Sequence, residues 1–320
     1  MATCEKETSP KLKDIISKSL LMKSGPPNRY QLVPKKQSLD GRKEEESKLR
    51  RWTIGERNHS KDNKTVLLVG ERGAGKSTLI NTMVNYVMGV ELEDEIWFEV
   101  IEEDKRSIPR SWTSVVIVYD IFGFEDLKLP YSLTIVDTPG YGDPKWNKED
   151  KEVTEKLHSL LRSKDGIDQI DVVGLVMEAT ENSLSEKQKY IFGEVASLFD
   201  KTMKNNIVAL LTHSDAGSAT NALRALKTAD IRCARDEKNQ PVHFLFNIGH
   251  TVTTTSKLDM SSLRNALNTM EGMDAFLEFV GGVTPEKLKR KKVPTEDEEL
   301  EAVLQEKDRF ASVPTSFRSD

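Results

Sequence analysis

The chain has 320 residues, enough for one large α/β domain with appendages or two modest domains, and the first is expected. Its 47 Lys and Arg against 52 Asp and Glu leave a net charge of -5, so no general attraction to nucleic acid or to an anionic membrane is built in. Cys4 and Cys233 are too few and too far apart for a disulfide framework or a zinc cluster, and His59, His158, His213, His243 and His250 show no metal-ligand spacing.

No run approaches the roughly 18 apolar residues of a membrane span. The start Met1-Ala2-Thr3-Cys4 has no signal core and no myristoylation site, and Phe317-Arg318-Ser319-Asp320 carries no prenylation box. The expected location is the cytoplasm.

Residues 1–63 read as a lysine-rich, partly disordered extension with Pro10, Pro26, Pro27 and Pro34. Leu12, Ile15, Ile16 and Leu20, flanked by Lys11, Lys13 and Lys18, make one amphipathic candidate. It suits peripheral contact with a membrane or a partner helix, or plain packing on its own domain. The alternating charges from Arg42 to Arg51 read as a solvated helix or linker, and Trp52 and Ile54 as a strand or arm entering the domain.

From Lys64 the chain alternates strand and helix, which predicts a doubly wound, mostly parallel sheet covered on both faces. Strands are expected near 65–69, 113–121, 131–136, 170–177, 206–211 and 242–246, and helices near 76–88, 149–162, 184–199, 218–228 and 260–278. The second and third strands form a hairpin through Phe122-Gly123-Phe124-Glu125, so one antiparallel edge strand is expected. Residues 64–280 make the domain. Residues 281–320 make a charged tail, basic at Lys287 to Lys292 and acidic at Glu296 to Glu299.

The first strand runs into Gly70-Glu71-Arg72-Gly73-Ala74-Gly75-Lys76-Ser77-Thr78, a match to G-x-x-x-x-G-K-[ST] between strand and helix. The glycines let successive N–H groups turn inward at a helix N-terminus, making an anion nest suited to phosphate. Lys76 would reach the β- and γ-phosphates, and the Ser77 hydroxyl would bind Mg²⁺. Thr113, at the end of the breaker-containing loop Arg106 to Thr113, is the candidate switch hydroxyl for Mg²⁺, with Ser111 and Ser114 as competitors. Asp137-Thr138-Pro139-Gly140 follows the third strand, about 60 residues beyond the phosphate loop, where doubly wound sheets bind ligands. Asp137 would hold Mg²⁺, and the Gly140 N–H would reach the γ-phosphate.

Thr212-His213-Ser214-Asp215 ends the fifth strand and Asn247 the sixth. Guanine presents two adjacent N–H donors that the Asp215 carboxylate accepts together, whereas adenine offers an acceptor there. His213 can stack on the purine, and Asn247 is placed to touch its other edge.

This ordered set resembles the translation-factor-related GTPases. Within them it is similar to the septin-like branch, which includes septins, immune-associated nucleotide-binding proteins and chloroplast import-receptor GTPases. The Thr-His pair before Asp215 resembles the last two groups more than septins. The resemblance covers about residues 64–280. It implies a P-loop G domain and a GTP-dependent switch with Mg²⁺ that often dimerises across its nucleotide face.

Two departures stand out: Tyr141 occupies the place of the water-orienting glutamine of Ras-like enzymes, and Arg72 that of a glycine. Slow GTP hydrolysis is therefore expected, with Lys76, Thr113 and Gly140 at the γ-phosphate and two switch loops around 105–113 and 137–148. The alternatives are a nucleotide-stabilised scaffold with negligible turnover and a P-loop kinase. Arg72, Arg106 and Arg110 border the phosphates, so each could serve its own site or that of a second copy.

Overall fold

A computed structural model describes residues 9–43, 46–101, 115–139, 149–162, 166–199, 201–214, 219–248, 260–284 and 286–287. In chain order the elements begin with α1 (Pro10–Ser17), β1 (Leu20–Lys23), β2 (Asn28–Gln31), β3 (Lys35–Ser38), β4 (Leu49–Ile54), β5 (Asn63–Val69), α2 (Lys76–Val87) and β6 (Ile96–Glu99). They continue with β7 (Val116–Ile121), β8 (Ser132–Asp137), α3 (Glu149–Arg162), β9 (Gln169–Ile170), β10 (Val172–Glu178) and α4 (Glu186–Ser197). The last are β11 (Ile207–Thr212), α5 (Thr220–Thr228), β12 (His243–Phe246), α6 (Met260–Gly282) and β13 (Glu286–Lys287). All belong to one unit, Met1–Leu288, and Lys289–Asp320 form a second that lies outside the described residues.

The main sheet has 8 strands in the order β12-β11-β10-β5-β8-β7-β4-β3. Its central strands are apolar on both sides because both faces are covered. In β5, Val66 and Leu68 point into one core with Leu79, Ile80 and Met83 of α2 and Met273, Phe276 and Leu277 of α6. Leu67 and Val69 point into the other, with Leu157 and Leu160 of α3, Ile191 and Phe192 of α4, and Ala222 and Leu226 of α5. β5 lies between β8 and β10, with the strands that follow it first (β7 and β8) on one side and the later ones (β10, β11 and β12) on the other, so its carboxyl end is a topological switch point.

The expected antiparallel hairpin is present, with Ile117 opposite Asp137 and Ile121 opposite Leu133. Its strand β7 is not the edge, which corrects that expectation. The free side of β7 is paired by β4 in parallel, from Leu49 opposite Val116 to Ile54 opposite Ile121, and β3 then adds antiparallel to β4. The reason is the requirement that the backbone groups of an otherwise open strand find partners. Trp52 and Ile54 are therefore in a strand, as expected, whereas the Arg42 to Arg51 stretch does not end as a solvated linker. Arg50 is buried and its Nε donates to the Ser47 carbonyl at 2.8 Å.

The amphipathic candidate splits. Leu12 of α1 is buried in the same core as Val66, with Ile15 and Ile16 packed against it, so the helix packs on its own domain. Leu20 instead lies exposed in β1. A second sheet, β1-β2-β6, is held by two buried asparagines on α2. The Asn85 amide donates to the Phe98 carbonyl at 2.7 Å and its oxygen accepts from the Phe98 N–H at 2.8 Å, while Asn81 Oδ1 accepts from the Val100 N–H at 3.0 Å.

Candidate functional site

The phosphate loop leaves β5 pressed against β10: a Cβ on Gly70 would stand 2.4 Å from the Val176 carbonyl oxygen. At the other end Gly75 has φ +88, a left-handed conformation that turns the chain into α2. A side chain there would also meet Ile248 Cδ1 at 2.9 Å and Thr212 Cγ2 at 3.1 Å. Lys76 begins the helix and folds back over the loop, its Nζ donating to the carbonyls of Gly70 at 2.7 Å and Glu71 at 3.1 Å. Burial holds this ammonium below the usual lysine range, while the Asp137 and Glu71 carboxylates pull it back up. Ser77 and Arg72 are exposed, and Thr78 is half-buried on the first turn of α2.

Asp137 ends β8 beside this loop. Burial pushes its carboxyl up to about 6 against the favourable field of Lys76. Its Oδ1 is shielded from solvent and makes no hydrogen bond. A buried carboxylate oxygen with no donor, beside a lysine, suits a hard cation that takes oxygen ligands, so Asp137 fits Mg²⁺, and the exposed Ser77 would add a hydroxyl oxygen from the first turn of α2. The next residue, Thr138, fixes the geometry by donating its hydroxyl to the Leu68 carbonyl at 2.9 Å.

The other half of the site comes from β11 and β12. Register sets Thr212 opposite both Glu178 and Phe246, so His213 and Asn247 emerge level at the carboxyl edge of the sheet. The fully buried Thr212 hydroxyl donates to the Ala74 carbonyl at 2.9 Å, within reach of the Met177 carbonyl at 3.3 Å. Thr212 thus ties the strand to the phosphate loop. His213 follows at φ 52, exposed, with Nδ1 at 3.1 Å from the Thr212 hydroxyl oxygen. Asn247 is buried and its N–H donates to Thr269 Oγ1 at 3.1 Å. The structure therefore brings together residues 70–78, Asp137, Thr212, His213 and Asn247. Thr113, Gly140 and Asp215 lie outside the described residues, as do Tyr141, Arg106 and Arg110.

One contact had no counterpart in the motif reading. Glu71 Oε1 accepts from the Ser185 hydroxyl at 2.7 Å. Ser185 also caps α4: its hydroxyl oxygen accepts from the Gln188 N–H at 3.0 Å, and the Gln188 side chain accepts from the Ser185 N–H at 2.8 Å. The Ser185-x-x-Gln188 spacing is a capping box and shows the cap in the sequence, but not its hold on the phosphate loop.

The septin family model matches residues 62–172, the stretch from β5 to the start of β10. Septin-1 of Drosophila melanogaster is 30% identical over 114 residues, 34% of this chain and 29% of that protein, so the match spans under a third of the relative's length. Among solved structures, Toc33 from Arabidopsis thaliana in complex with GDP and Mg²⁺ aligns over 72% of this chain and 89% of its own, at 15% identity and a TM-score of 0.47. Toc33 with Mg²⁺ and GMPPNP aligns over 71% and 88%, at 16% identity and a TM-score of 0.46. The septin-like resemblance read from the ordered motifs is thus met by the family model.

Proposed function

We propose that this chain binds GTP with Mg²⁺ and hydrolyses it slowly. The observation that carries the reading is the pairing of Lys76, folded onto the Gly70 and Glu71 carbonyls, with the donor-less Oδ1 of Asp137 at the switch point of the sheet. Triphosphate oxygens would take the Lys76 ammonium from those carbonyls and occupy the inward N–H groups of the loop. Ser77 and Asp137, with Thr113, would hold Mg²⁺, which when bound offsets charge on the β- and γ-phosphates. Asp215 would read guanine, with His213 stacking on the purine and Asn247 touching its other edge.

In turnover, water attacks the γ-phosphorus in line and the bond to the β–γ bridging oxygen breaks, with Lys76 and the Gly140 N–H stabilising the charge. Tyr141 has no amide with which to orient that water. This favours low intrinsic turnover and supports a second reading, a nucleotide-stabilised scaffold. A second copy contributing Arg72, Arg106 or Arg110 would raise the rate, and such arginines are worth about 10³–10⁵ elsewhere.

Titration of the full chain with a fluorescent GTP analogue tests the reading. Lys76→Ala is expected to weaken binding by about 100-fold or more, the worth of a charge-assisted pair in a dry site. Asp215→Asn should shift preference toward xanthosine triphosphate. Unchanged affinity in Lys76→Ala would overturn the assignment. A specific activity that rises with protein concentration would separate the dimeric enzyme from the scaffold.

A further inference from the structure

The main sheet and the second sheet have four outer edges, and three of them are closed, each by a different device. β3, at one end of the main sheet, is Lys35-Lys36-Gln37-Ser38 with its lysines exposed, a charged edge that resists further pairing. β12, at the other end, has α6 packed against it so closely that a Cβ on Gly272 would stand 2.0 Å from the Leu245 carbonyl oxygen. In the second sheet the outer side of β6 is capped by side chains: Asn85 takes both the N–H and the carbonyl of Phe98, and Asn81 takes the N–H of Val100.

The fourth edge is β1. It ends the order β1-β2-β6 with no strand beyond it among the described residues, and all four of its residues are exposed. Leu20, Leu21 and Met22 are 61, 55 and 62% exposed in succession, so apolar side chains face water on both sides of the strand. Val33, two positions past the Leu20–Gln31 pair, adds another at 63%. The backbone direction at this edge follows from β2. The Asn28 and Leu32 N–H groups donate to the Glu95 and Glu99 carbonyls at 2.8 Å, so the even-numbered residues of β2 face β6. Tyr30 is one of them, and its partner Leu21 therefore turns its own N–H and carbonyl away from β2, to the open side. Met22 is the extra residue of a bulge and has no partner on β2.

We propose that β1 is a homodimerisation edge, where β1 of a second copy adds antiparallel about a twofold axis at Leu21. The sequence is self-complementary in that register. Leu21 meets Leu21 of the second copy and exchanges both backbone bonds with it, Leu20 meets Met22, and Ser19 meets Lys23. Lys18 then falls opposite Ser24, so each lysine faces a serine and none faces another lysine. An acidic partner strand fits less well, because Lys18 already pairs with Asp14 at 2.7 Å. A few side chains and one short strand fall below the roughly 800 Å² per partner of a standard interface, so a dimer weaker than about 1 μM is expected. The contact uses no residue of the nucleotide site and does not rest on the nucleotide reading.

Sedimentation velocity of the full chain without nucleotide, from about 5 to 300 μM, tests it. Wild type should pass from monomer to dimer across that range, and Lys76→Ala should do the same. Leu21→Lys sets lysine against lysine at the axis and should stay monomeric, with Tm within about 2 °C of wild type because the position is exposed. Met22→Lys, at the bulge residue, repeats the test on a side chain with no partner on β2. In a Cys4→Ser background, where Cys233 is buried, Leu21→Cys should be linked to a second copy by a short bis-thiol reagent and Lys35→Cys should not. A wild type still monomeric at the highest concentration would overturn the proposal, and its binding to phosphatidylserine vesicles would then give the patch to a lipid surface. Dimers that survive both lysine variants would overturn it too, as would dimers that form only with GTP and are lost in Lys76→Ala, which would put the contact on the nucleotide face.

Discussion

Asp137→Asn separates the stability of the nucleotide-free protein from its ability to bind Mg-nucleotide. In the folded chain burial raises the Asp137 carboxyl from 3.8 to about 6. Because the folded pKa lies above the unfolded one, the group costs nothing below about pH 4, where it is protonated in both states. The cost grows through the window from about 4 to 6 and is complete above it. About two units at 1.4 kcal/mol each give an upper figure of about 3 kcal/mol, which solvent at the half-buried residue reduces to about 1–3. Asparagine carries no such charge. In the nucleotide-free protein with chelator, urea unfolding at pH 8 should show Asp137→Asn more stable by about 1–3 kcal/mol, with the difference fading at pH 4.5. Mg-dependent nucleotide affinity should fall in the same variant, and in the wild type it should weaken as pH drops through about 6. A variant less stable than wild type at pH 8, or a difference that ignores pH, would refute the argument that Asp137 is a buried carboxylate held for a cation.

Thr212→Val keeps the shape of the side chain but removes the donor to the Ala74 carbonyl, so about 1–3 kcal/mol of stability should be lost, with weaker nucleotide binding, by denaturant unfolding and titration. Ser185→Ala should cost about 1 kcal/mol through the lost helix cap and free Glu71 from its 2.7 Å contact, and Ser185→Thr should restore both, as read by unfolding and by nucleotide affinity. Gly272→Ala would place a Cβ 2.0 Å from the Leu245 carbonyl oxygen, pushing α6 off β12. A loss of about 3 kcal/mol or more is expected, measured as a drop in the urea midpoint.

Much of the site was legible because its signals are local. Gly70 to Ser77 is a contiguous motif whose strand and helix flanks can be read from apolar periodicity, and Asp137 and Thr212-His213 each follow an apolar run of strand length. Parallel strands buried on both faces are nearly continuous in apolar residues, so β5, β8, β10 and β11 were found within two residues of their ends.

What remained hidden depends on contacts between residues far apart in sequence. The first half of β4 carries Arg50 and Arg51 and reads as the end of a charged linker, with a strand expected only from Trp52, yet the open side of β7 takes the whole of β4 into the sheet. The hydroxyls of Thr138 and Thr212 reach backbone carbonyls 70 and 138 positions away. Neither residue's own neighbours along the chain indicate those partners. The row Thr53, Asp120, Thr134 and Thr65 is the clearest case: in sequence they are four unremarkable polar residues in four strands. Only the register, set by which apolar faces must be buried together, brings them side by side in one row across the sheet.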